Sequence, residues 1–133
     1  MTTFILEKEE GVWFDFPGGG RVQLRAPSLN DYIRISKASV TNKPFLHEEN
    51  GKPPRIFNHE IPDVEKQSHL FNDCIILAWE GFFDKNEKEI PCTPENKTLL
   101  MRLDDSIFRD FVNEKTEALI EANRIKEETL KKN

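Results

Sequence analysis

Val12-Trp13-Phe14-Asp15-Phe16, then Pro17-Gly18-Gly19-Gly20, then Arg21-Val22-Gln23-Leu24-Arg25: two alternating runs flank a turn-forming segment. Val12, Phe14 and Phe16 fall on one side of the first run, and Val22 and Leu24 repeat the same period of two among Arg21, Gln23 and Arg25. The pattern predicts a β-hairpin with one face on a core. The three glycines suit its turn because they reach positive φ without a Cβ clash. Upstream, Thr3-Phe4-Ile5-Leu6 is a candidate third strand.

Downstream the period changes to that of helices. Ser28 with Asp31 three residues later forms a capping box that opens a helix over about 29–39, with Leu29, Tyr32, Ile33 and Ile35 as its expected inner face. Residues 41–62 hold four of the eight prolines together with Asn50-Gly51, His47 and His59, and read as a long irregular loop that is a candidate contact region. Asp63 begins a second helix that continues to Trp79. Its last turn, Cys74 to Trp79, is apolar on nearly every side and so belongs in the interior.

Phe82-Phe83 and Ile90-Pro91 flank a polar turn, which gives a short hairpin or an ordered loop. Thr93 as cap and Pro94 at the first helical position open a third helix with Leu99, Leu100 and Leu103 as its apolar face. Asp104 or Asp105 caps the last helix, whose inner stripe is Ile107, Phe108, Phe111, Val112 and Leu119. Residues 121–133 are helix-prone but offer little to bury, so they are expected to project or fray. The expected fold is α+β: an N-terminal hairpin of two or three strands packed on three to four helices, one domain over 1–133.

Composition narrows the function. A chain of 133 residues with 37% hydrophobic residues and no apolar run near 20 residues has no membrane-spanning segment. The start, MTTFILEKEEG, has too short an apolar stretch for a signal peptide, so the expected compartment is the cytoplasm. A net charge of -5 has the wrong sign for a phosphate-backbone binder. The best basic cluster, Arg21, Arg25, Arg34 and Lys37 near Trp13 and Tyr32, reads more simply as the outer charges of a hairpin and a helix.

The chemistry-bearing motifs fail one by one. Asp84, Asn86 and Glu95 match positions one, three and twelve of a calcium loop, but Lys88 and Glu89 replace a ligand and the turn glycine. His47, His59, His69, Cys74 and Cys92 show no zinc-site spacing. The glycine run lacks the Lys-Ser/Thr and the helix that a phosphate loop requires, and none of the serines considered has an activated-nucleophile setting. The expectation is a chain with no catalytic site, no metal and no cofactor.

Two stretches carry a resemblance: Gly11-Val12-Trp13-Phe14 through Gly20-Arg21-Val22-Gln23-Leu24-Arg25 to Ser28, and Trp79-Glu80-Gly81 through Glu89-Ile90-Pro91-Cys92-Thr93-Pro94-Glu95-Asn96-Lys97 to Leu99-Leu100. Over roughly residues 10–115 the chain resembles the tail assembly chaperones of tailed bacteriophages and prophages. The resemblance implies a non-enzymatic, mostly helical protein of the bacterial host cytoplasm. Its partners would be the tape-measure protein, whose hydrophobic helices it keeps soluble, and the tail-tube protein, with a homo-oligomer possible. It carries over no invariant site residue. Such a protein needs accessible apolar surface for a client helix. Phe45, Phe57, Phe82 and Phe83 are the aromatics least easily assigned to the core stripes and are the candidate partner-binding residues, although capping the core would use them equally well. Alternatives are a structural tail-completion or connector component, and a small nucleic-acid-binding regulator.

Overall fold

The computed structural model describes Thr2 and residues 11–132. Strands β1 (Val12–Asp15) and β2 (Arg21–Leu24) form the expected antiparallel hairpin, in the register Val12↔Leu24, Phe14↔Val22 and Asp15↔Arg21. The candidate strand Thr3–Leu6 lies outside the described residues. At the turn, Gly18, Gly19 and Gly20 all have positive φ, and Phe16 N donates to Gly20 O at 3.0 Å. Gly20 also approaches Gly81 so closely that a Cβ on it would stand 2.8 Å from Gly81 O.

Helix α1 (Leu29–Ala38) starts at the Ser28–Asp31 capping box, as its sequence predicts. Its orientation differs from the expected one. Asp31 and Ile35 are buried, while Leu29, Tyr32 and Ile33 are 75%, 48% and 44% exposed. The reason is electrostatic: Arg25 makes a two-pronged contact with the Asp31 carboxylate at 2.8 and 3.2 Å, and Ser28 N donates to it at 2.8 Å. A carboxylate so neutralised can occupy an inward position.

Residues 41–62 are not an irregular loop. They form most of an antiparallel ribbon of β3 (Val40–His47) and β4 (Arg55–Pro62), paired from Val40↔Pro62 to His47↔Arg55. Every residue of both strands is exposed except Ile61, which is half-buried. A ribbon with neither face buried has no selection for alternation, so the strand signal is absent from its sequence. Pro44 is tolerated because both strands are edges.

Helix α2 (Val64–Ile75) begins at its Asp63 cap but ends four residues earlier than its sequence predicts; Ile76 to Glu80 form strand β5. The three-stranded sheet has the order β1-β2-β5. A short, wholly apolar run fits a buried strand as well as a buried helix, and here β2 needs a second partner. Val22 pairs with Trp79 and Leu24 with Ile76, and a register shift at Gln23/Leu24 accommodates the extra residue Leu77. Arg25 N extends the ladder to Ile75 O at 3.0 Å.

Helix α3 (Pro94–Arg102) is capped by Thr93, whose Oγ1 accepts from Asn96 N at 3.2 Å. Its buried residues are Lys97 and Met101, with Leu100 packed at the core margin, whereas Leu99 and Leu103 are exposed. Lys97 Nζ reaches Asp73 Oδ1 at 2.9 Å, so α3 is tied to α2 through an ion pair. Helix α4 (Ile107–Lys132) takes its cap from Ser106 rather than from Asp104 or Asp105, because Ser106 Oγ accepts from Arg109 N at 3.0 Å. Phe108, Phe111 and Val112 are buried as expected; Ile107 is 68% exposed. The helix continues through the stretch expected to project or fray, and the side chains of 121–129 are exposed apart from a half-buried Asn123. The core is the inner face of the sheet, with Val22, Leu24, Ile76 and Trp79, closed by Ile75, Met101, Phe108, Phe111 and Val112.

Candidate functional site

The second stretch of the resemblance folds into one unit beside the sheet. After β5, Gly81 turns the chain at φ +79°, Ile90 N donates to Phe82 O at 2.8 Å, and Phe83 bridges to Glu89. Trp79 Nε1 donates to Ile90 O at 2.8 Å, and Asn96 Nδ2 donates to Pro91 O at 2.9 Å. The tryptophan from one flank and the asparagine from the other therefore fasten the end of the loop at Ile90–Pro91. Asp84 Oδ1 accepts from Asn86 N and Lys88 N at 2.8 and 3.1 Å, the geometry of a self-bonded turn.

Between this loop and the Pro17–Gly20 turn lies an open concavity of about 400 Å³ whose walls include Phe16, Pro17, Phe82, Phe83, Ile90 and Phe108. Its floor is an aromatic cluster. Phe82 packs edge-to-face on Phe16 and Phe108, with ring centroids 5.3 and 5.8 Å apart, and lies 5.9 Å from Trp79. Such contacts hold the rings in fixed orientations. Phe83 stands at the rim and is 60% exposed.

Phe45 and Phe57 are elsewhere. They are cross-strand partners on the β3–β4 ribbon, 46% and 44% exposed, and each ring meets a histidine: Phe45 with His59 at 4.9 Å and Phe57 with His47 at 6.0 Å. A smaller hollow at the ribbon tip is lined by Phe57, His47 and Arg55 and shares no residue with the apolar groove. The four candidate phenylalanines thus separate into a groove pair, with Phe82 in the floor and Phe83 at the rim, and an arm pair.

The basic cluster is also divided. Arg21 bonds Glu80 and lies over the Trp13 ring at 4.3 Å; Arg25 bonds Asp31, and its Nη2 is 2.9 Å from Cys74 Sγ; Arg34 approaches Asp31 at 3.6 Å. Three of the four cations are engaged within the chain. The Arg25 hydrogen bond holds the Asp31 carboxyl well below the usual carboxylate range, and burial pushes the Cys74 and Cys92 thiols up, away from the reactive thiolate. His69 Nδ1 lies 2.6 Å from Thr98 Oγ1, joining α2 to α3.

Among the described residues no group of three or more His, Cys, Asp or Glu side chains could hold a metal ion, and no helix is long and apolar enough to cross a membrane. Comparison with protein-family models, curated proteins and solved structures finds no match to this chain. The outward face of α1, with Leu29, Tyr32 and Ile33, is apolar surface that sequence periodicity assigns to the interior. The signal that could have found it is Arg25, a cation close enough in sequence to neutralise Asp31.

Proposed function

We propose that this chain is a tail assembly chaperone of a tailed phage or prophage: a non-enzymatic protein of the host cytoplasm that binds the tape-measure protein and works with the tail-tube protein during tail assembly. The observation that carries the reading is that residues of both stretches of the resemblance line one apolar groove, Pro17 and its glycine turn on one side and Gly81 to Ile90 on the other. An amphipathic helix binds such a groove through anchors spaced three and four residues apart, and its apolar face is then hidden from water. The rigid ring cluster under the groove favours this use, because a preorganised floor lowers the entropy cost of binding.

The test is to tag the chain in cells that are assembling tails and to identify what copurifies. The proposal predicts the tape-measure protein as the main partner before tails mature, with the chain absent from finished particles. Recovery in finished tails would replace the chaperone with a structural tail component. Recovery of nucleic acid that salt removes, with no tail protein, would contradict both.

A further inference from the structure

We propose that the β3–β4 ribbon is an association arm whose aromatic face seats on the outer stripe of α4 in a second copy of this chain. Residues opposite each other in an antiparallel pair share a face, so Lys43/His59, Phe45/Phe57 and His47/Arg55 line one side of the arm. The other side carries Asn42/Glu60, Pro44/Asn58 and Leu46/Ile56. The first face is thus cation, aromatic pair, cation, and neither Lys43 nor Arg55 has an ion-pair partner among the described residues. Lys43 and the His47/Arg55 position lie about 13 Å apart along the strand.

Helix α4 offers the complement. With Phe108, Phe111 and Val112 turned into the core, the helical period places Asp110, Glu114, Glu117, Glu121 and Glu128 on the opposite side, with Ile125 at the flank of that stripe. Ile125 is 52% exposed, between Glu121 and Glu128. These two carboxylates are about 10 Å apart along the axis, so an acid, apolar, acid row faces a base, aromatic, base row of similar length. Arg124 bridges both glutamates within the chain; on association the glutamates would exchange that exposed contact for Lys43 and Arg55 and leave Arg124 to solvent, while Glu114 and Glu117 have no ion-pair partner among the described residues. Burying Phe45, Phe57 and Ile125 supplies the affinity, and the charges fix partner and register.

Arm and stripe lie on different elements, so the contact is head-to-tail and each copy offers one of each. It is independent of the groove and of what the groove binds.

Sedimentation velocity on the isolated full chain tests this. We expect a concentration-dependent mass above 15.5 kDa that falls as salt rises from about 0.03 to 0.5 M. Lys43→Glu/Arg55→Glu and the swapped triple Glu121→Lys/Arg124→Glu/Glu128→Lys should each weaken self-association at least about tenfold, with circular dichroism unchanged because all five side chains are exposed and the triple keeps the opposite-charge pairs within α4. Mixing the two variants should restore association, since each supplies what the other lacks. A chain that stays monomeric at low salt overturns the proposal. So does association that neither variant weakens, or variants that stay apart when mixed.

Discussion

Asp31 shows how one charge sets the orientation of a helix. Its carboxylate accepts from Arg25, Ser28 N and Ser28 Oγ, and its side chain is 12% exposed. Asp31→Asn should cost about 2–3 kcal/mol at neutral pH, because Arg25 would be left partly buried with a weaker partner. The pH dependence follows from the direction of the shift: a carboxyl held below its unfolded value of about 4 stabilises the fold fully above that pH, and the contribution declines below it and is lost as pH falls through the lower folded-state value. The gap in unfolding free energy between wild type and Asp31→Asn, measured in urea, should therefore narrow from pH 7 to pH 3. Thr116 has the opposite character, since its Oγ1 is buried without a hydrogen-bond partner among the described residues. Thr116→Val should raise stability by about 1 kcal/mol in a thermal melt, because it removes an unpaired hydroxyl and keeps the shape. The Ser28–Asp31 box was legible in the sequence as a local spacing. The burial of Asp31 was not, because it depends on Arg25 folding back from β2.

Among the elements, the hairpin, the Thr93 cap and the α4 core stripe were legible because each buries one face or satisfies one helix end. Two elements were hidden for different reasons. The run Cys74 to Trp79 is apolar throughout, so only the demand of β2 for a neighbour makes its last four residues a strand. The β3–β4 ribbon buries almost nothing, so hydrophobic patterning says little about it. The same fact yields a prediction. Replacing residues 42–60 with a short glycine-containing turn should change the melting temperature of the body by less than about 4 °C, because an exposed two-stranded ribbon contributes little to a core. A larger loss in differential scanning calorimetry would show that the arm supports the body. Of the candidate phenylalanines, Phe83 answers best to the expectation of free apolar surface, whereas Phe82 belongs to the ring cluster that the loop folds over.

In the whole molecule a rigid aromatic groove lies on the body, and the exposed β3–β4 arm and the exposed end of α4 extend its surface. A helix-binding groove should tolerate polar substitution at its rim without loss of fold, since Phe83 is mostly exposed and lies outside the buried core. The most direct measurement is calorimetric titration of this chain with successive helical segments of a tape-measure protein, the partner proposed above, using wild type and Phe83→Asp in parallel. At least one amphipathic segment should bind wild type with a negative heat-capacity change, and Phe83→Asp should weaken it by about tenfold or more while melting like wild type. Binding of no segment, or equal binding by Phe83→Asp, would contradict the assignment of the groove to the tape-measure protein.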